Sequence, residues 1–377
     1  LVSSTFTQAN APEVSKVQET QGPYPWIINP GFDFFFIAGG AVWVLFAINY
    51  LYLGLRIPID PTSGPVVGRW LIVLTLIGQH LTADSHNAAT YLRIYGSEKD
   101  RKQFRFYGKW LALSCIPLFF FGINVPGLAG ALVYTYLVTV IWHYAAQSFG
   151  ISLIYCYKAG YYFSNTEKEI FRWFTMALAG VVITRLLTFQ EFSPRNFYGV
   201  ECPYWGPLPL WFMGGMCALF LTLTAAFVVV VIKKAIVERK IIPFASILCM
   251  ATVALLGLSW GTVSAILWLY VPCVYHGTQY LAVTTSYYLK ERGLPEGVST
   301  WDIGAQFLKG PALGFIGMTV LIGCFLYIGI PHIFSSLGYN QSVVAGVVLA
   351  TVNYHHFITD AAIWRLKDPA CRKLLLA

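Results

Sequence analysis

The chain has 377 residues, 57% of them hydrophobic and 11% charged, with a mean hydropathy of +0.61 and a formal net charge of +8. A soluble domain carries about 25% charged residues. A deficit this large excludes a surface that mostly faces water and points to an all-α, polytopic integral membrane protein. The basic residues sit between long apolar runs, which fits the positive-inside bias and excludes nucleic acid as a partner.

Residues 1–30 form a polar arm without the apolar core of a secretory signal. Ten apolar segments follow, near 34–54, 70–93, 109–124, 129–157, 170–188, 209–232, 243–259, 261–289, 311–330 and 342–365. Each is about long enough to cross a hydrocarbon core, which takes roughly 20 helical residues. The seventh and eighth are separated only by Trp260-Gly261-Thr262. Asp33 reads as a cap or dipole partner of the first helix. Segment 300–309 reads as a short interfacial helix. No soluble insertion interrupts the series, so 31–368 is expected to be one membrane domain, with 369–377 a short tail.

With the N-terminus inside, twenty of the twenty-five Lys and Arg fall on cytoplasmic loops or adjoining helix ends. The opposite side keeps Arg56, Arg69, Arg185 and Arg195, and Lys16 lies in the arm. This asymmetry predicts about ten spans with both termini cytoplasmic. The host is then a cell inner membrane or an internal membrane, with lipids as immediate partners. The eight cysteines have no CxxC or regular spacing, so a thiolate framework is not expected.

Six of the seven histidines lie within these spans, and His332 follows Pro331 in an expected outer loop. Of seventeen acids, only Asp84 and Asp360 fall well inside a span. Ionisable groups in hydrocarbon are costly and mark cavities, partners or functional sites. His80 and Asp84 stand at i, i+4 on one helix face, and His356 and Asp360 repeat that spacing beside His355. His143 pairs with Gln147 and His276 with Gln279.

His80, His143, His276 and His356 lie 13, 15, 14 and 11 residues before Arg93, Lys158, Lys290 and Lys367. That is roughly 16–23 Å from the basic boundary on four co-directional helices. One layer of imidazoles follows, as in metal-bearing helical bundles. His86 points about 120° away from His80 in a regular helix, so it serves another face or the helix is distorted. The candidate metal ligands are His80, Asp84, His86, His143, His276, His355, His356 and Asp360, with Gln147, Gln279, Asn87 and Asn353 as orienting groups. A lone membrane histidine is otherwise an interhelical hydrogen bond worth about 1 kcal/mol.

Several intramembrane histidines with an adjacent pair resemble the histidine-box membrane di-iron oxygenases, the lipid desaturases and hydroxylases. Those families use HxxxH and HxxHH boxes, where this chain has His80-x3-Asp84-x-His86 and His355-His356-x3-Asp360. The His355-His356 pair is also similar to the copper-ligating pair of haem–copper oxidase subunits, whose other motifs are absent. Each likeness covers a few residues, and no family is assigned.

Imidazole and carboxylate donors with open positions suit iron–oxygen chemistry. The leading expectation is a membrane oxidoreductase with a non-haem transition-metal centre, most simply iron and with ligands enough for two ions. It would act on a lipid-soluble substrate and draw on an electron-donor protein. The alternatives are an electron-transfer subunit holding bis-His haem b or a pigment, and an ion- or proton-coupled transporter. No catalytic residue beyond the ligands is assigned.

Overall fold

The computed structural model describes residues 25–48, 51, 73–74, 76–197, 199–259, 265–295 and 298–377. Most of the polar arm, the ends of the first two spans that face one another, Arg56, Arg69 and the Trp260-Gly261-Thr262 separator lie outside them.

The described residues are almost entirely helical. α1 (Pro30–Ile37) and α2 (Gly40–Ile48) meet at a 55° bend. α3 (76–95) contains a π-helical turn at Gln79–Asp84 and then runs as Ser85–Tyr95. α4 (Glu98–Gln103) is short. α5 (Phe106–Asn124), α6 (Leu128–Lys158), α7 (Asn165–Thr188) and α8 (Leu210–Val237) are long and apolar. α9 (Phe244–Leu258) has only 15 residues. α10 (Ala265–Arg292), α11 (Gly310–Ser336), α12 (Gln341–Ile363) and α13 (Pro369–Leu376) complete the series. Between α7 and α8 a two-residue hairpin pairs Asn196 with Glu201 and Phe197 with Val200, an element the hydropathy pattern does not predict.

Among the described residues six helices, α5, α6, α7, α8, α11 and α12, are long and apolar enough to cross a membrane, and the bent α1–α2 pair makes up to seven. This marks the chain as a membrane protein. Surface exposure agrees: Leu221 and Val229 of α8 are more than 60% exposed, as is Phe121 of α5. Apolar faces this continuous need a nonaqueous cover.

Local chemistry sets the boundaries. Gly127, at φ 78°, turns the chain into α6. A capping box between Ser164 and Glu167 starts α7. Asn340 caps α12, and Asp368 caps α13 ahead of Pro369. Three expectations need correcting. His332 is helical, in the last turns of α11, because Pro331 sits in the first turn of a renewed α-helical stretch that tolerates it. Asn29 caps α1, whereas the buried Asp33 carboxylate accepts from the backbone N–H groups of Ile27, Ile28 and Asn29 and from the Tyr155 hydroxyl. The segment after 368 is an amphipathic helix that buries Cys371 and Leu375 against α6 and α10.

α6 lies at the centre, packed on α7, α9 and α12, while α10 and α11 pack on α3. α8 leans mainly on α7 at the periphery. The layer where α3, α6, α10 and α12 converge holds the polar groups.

Candidate metal centre

The π turn in α3 is gripped from two sides. A Cβ on Gly277 of α10 would stand 2.6 Å from the Thr82 carbonyl carbon, and one on Gly323 of α11 would stand 3.0 Å from Asp84 backbone atoms. Glycine at both points lets two helices touch the widened turn directly. π turns are frequent at functional sites, although those at Asp33–Ile37, Phe106–Leu111 and Phe325–Gly329 carry none of the ring histidines. The turn in α3 is followed at once by His86, whose Nδ1 donates to the Ala83 carbonyl. The neighbour of Gly277 is His276, so the same close approach places His86 and His276 together.

His86, His143, His276 and His356 form a closed ring of four buried imidazoles. Successive ring centroids are 4.9 Å (His86–His276), 4.8 Å (His276–His143), 5.0 Å (His143–His356) and 4.6 Å (His356–His86), all steeply inclined. One nitrogen from each lies within 4.8 Å of the other three. The Nε2 atoms of His86, His143 and His356 and both ring nitrogens of His276 are buried without a hydrogen-bond partner. Buried polar atoms are nearly always paired, so an accumulation of orphans in one spot demands an occupant. A transition-metal ion can take one nitrogen from each ring, since bound imidazoles sit about 2.0–2.1 Å from such ions.

The hydrogen-bond network fixes the tautomers of two of the four rings. A carbonyl only accepts, so the His86 proton is on Nδ1 and its Nε2 carries the lone pair. The Thr90 hydroxyl lies 2.8 Å from the Tyr280 hydroxyl, 3.2 Å from Asp360 Oδ1 and 2.8 Å from His356 Nδ1; its one proton goes to the two oxygens, so that nitrogen donates and Nε2 is again left bare. Tyr280 donates to Asp360 Oδ1 at 2.7 Å and accepts from Trp364 Nε1 at 2.9 Å. Asp360 Oδ2 lies 3.3 Å from His356 Nε2. That contact lacks hydrogen-bond geometry, since the nitrogen stays without a partner. Two donors side by side in this way suit a shared cation.

The remaining candidates lie elsewhere. His80 is turned outward, its side chain 41% exposed, with Nδ1 2.6 Å from Asp84 Oδ2. Asp84 borders a small polar cavity behind His86 and His276. His355 stacks on Tyr91 and bonds the Tyr107 carbonyl at 3.0 Å, facing away from the ring. Gln147 bonds the His276 carbonyl and Gln279, and Gln279 bonds the Ile37 carbonyl, so both brace α10 through its backbone surroundings. Asn87 and Asn353 both donate to the Tyr327 hydroxyl.

The exchange of His80 for His86 has a physical reason. The depth match used Arg93 as the membrane boundary, but Arg93 is paired with Asp100 at 2.7 Å and lies over the Tyr287 ring. An arginine neutralised within the protein does not mark headgroup level. Thr90, Tyr280 and Trp364 are absent from the sequence-based candidates, although they stand four residues after His86, His276 and Asp360. The i, i+4 rule that singled out His–Asp pairs would have found them.

The fold and site define a helical membrane protein with a buried four-histidine cluster able to hold a transition-metal ion. No protein-family model matches the chain, and neither curated proteins nor solved structures provide a match.

Proposed function

We propose that the protein is a membrane oxidoreductase whose single non-haem metal ion, iron in the first instance, is held by His86, His143, His276 and His356 with Asp360 as a fifth donor. The convergence of bare, buried nitrogens carries the reading. Donors on one ion at about 2.0–2.1 Å stand no more than about 4.2 Å apart. Small side-chain rotations therefore close a 4.8 Å spread onto one centre. A dinuclear site would need donors spread wider, and imidazoles packed edge to face leave no slot for a porphyrin. Four histidines and a carboxylate leave one octahedral position open, which favours iron over a closed tetrahedral zinc site.

When bound, such an ion supplies the one-electron chemistry that reaction with dioxygen requires. The protein's own part is positional. Ala83 and Thr90 hold two imidazoles in the tautomer that presents Nε2, and Tyr280 and Trp364 lock Asp360 beside them. Burial excludes bulk water. His143 and Asp360 also line an apolar cavity between α6, α10 and α12, which gives a lipid-soluble substrate a place beside the centre. Electrons come from a separate donor protein.

The setting proposed with it is ten crossings with both termini on the cytoplasmic side, a reading that rests on the basic-residue asymmetry of the sequence. Substituted-cysteine labelling of the loops from either face tests it.

The decisive experiment is elemental analysis and absorption spectroscopy of the purified protein. About one iron per chain without a Soret band is expected. A preparation that lacks stoichiometric transition metal and takes none up on addition refutes the proposal.

A further inference from the structure

The cavity beside the histidine ring has a shape that specifies its occupant. It has a volume of about 710 Å³ and is bounded by α6, α10, α12 and the end of α13. On α6 its wall runs from Thr135 to Ile154, and at its far end it reaches Leu375. Nineteen residues of helix rise about 28 Å, close to the roughly 30 Å of a bilayer's hydrocarbon core. The space is therefore a long slot parallel to α6, and its wall is mainly apolar.

Its ionisable side chains, His143 and Asp360, are central, while the other polar residues along it, such as Thr135, Thr139, Gln147 and Thr284, are uncharged. His143 lies eight residues from the Thr135 end and eleven from the Ile154 end, or about 12 Å and 16 Å along the helix. Asp360 faces the slot at the same place. Trp142 and Ile358, which line it, are 44% and 49% exposed on the lipid-facing surface, so the slot opens sideways at mid-depth. Below the ring, Gly150 lines the slot and a Cβ there would meet nothing within 4 Å.

We infer that this slot binds a single extended hydrocarbon chain, acyl or isoprenoid, entering from the bilayer and lying along α6 with interior carbons, not a chain end, beside His143 and Asp360. This rests on the metal-centre reading for its chemistry but not for its binding. A compact apolar ligand would leave most of a slot this long empty. An amphiphile threaded through has its polar head at one end, near the membrane–water boundary, and its middle at the ring.

The test uses stearic acid carrying a photoactivatable diazirine either at mid-chain or at the terminal carbon, crosslinked to the purified full-length protein and mapped by mass spectrometry. The mid-chain probe is expected to label the His143–Phe357 neighbourhood. The terminal probe should label one end of the slot, around Thr135 or around Ile154 and Leu375. Competition with unlabelled stearic acid and with an all-trans isoprenoid polyene distinguishes the two sources of chain.

Gly150→Phe fills the lower slot and should reduce labelling around Ile154 and Leu375 about ten-fold, the equivalent of about 1.4 kcal/mol. Gly214→Phe, on the lipid-facing α8 with open space around it, should leave labelling unchanged. Metal content is measured on the same samples. Labels confined to the slot support the inference even where no metal is found, an outcome that would sink the oxidoreductase reading alone. Labels scattered over lipid-facing residues, or a mid-chain probe that marks only slot ends, overturn the inference while leaving a bound metal in place.

Discussion

Replacing His86 with Gln removes one of four converging nitrogens while leaving α3 a polar side chain of similar size. Metal binding in structural four-ligand zinc sites is worth about 10–16 kcal/mol, or roughly 3–4 kcal/mol per ligand if shared evenly. At 1.4 kcal/mol per decade, losing one donor weakens binding by about 10²–10³-fold. The matched substitution is His80→Gln, on the same helix but turned outward against Asp84. It deletes no donor to the ring, and a half-exposed pair of this kind is worth about 0–1 kcal/mol. Metal affinity should stay within about two-fold, because the ring is untouched. The assay is metal per chain after dialysis against a graded chelator series, with thermal melting in detergent as the check on folding. A fully loaded His86→Gln variant, or a His80→Gln variant that loses as much metal as His86→Gln, would refute the assignment of the ring.

Thr90→Val removes the hydroxyl that links His356 Nδ1 to Asp360. It should weaken metal binding about 10–100-fold without changing the number of sites, as read by competitive chelation. Gly277→Ala forces a Cβ to within 2.6 Å of the Thr82 carbonyl carbon. Two helix backbones must then separate, at about 1–3 kcal/mol, measured as a lower melting temperature. Asp33→Asn turns one acceptor oxygen into a donor facing N–H groups of the chain that enters α1. A loss of about 1–3 kcal/mol in stability is expected, with metal content unchanged.

How much of this was legible depends on what each signal measures. Hydropathy finds long apolar runs, and α5, α6, α7, α8, α11 and α12 fall close to their expected limits. It marks runs and not roles: α6 and α12, which supply His143 and His356, are among the six, whereas α3 and α10, which supply His86 and His276, are not among the six counted over the described residues. On α10 the polar His276, Gln279 and Tyr280 lower the average of an otherwise apolar run. The bend between α1 and α2 escapes hydropathy for a different reason, because Gly39, at φ 99°, breaks the backbone without interrupting the apolar run.

For the site, residue type was legible and phase was not. His143, His276 and His356 could be placed in one layer because α6, α10 and α12 run regularly through it. On α3 the π turn contains His80 and ends just before His86, and a regular-helix projection cannot see an i→i+5 turn. The clue lay on other helices. Gly277 and Gly323 sit where only a bare backbone fits against that turn, and one of them directly follows a histidine. A glycine beside a ligand candidate in an apolar helix therefore carries information about its partner helix: it marks where two backbones touch, and so which face of the opposing helix must supply the next ligand. Applied to α3, close contact with Thr82 and Ala83 puts the following turn toward α10, and the histidine on that turn is His86.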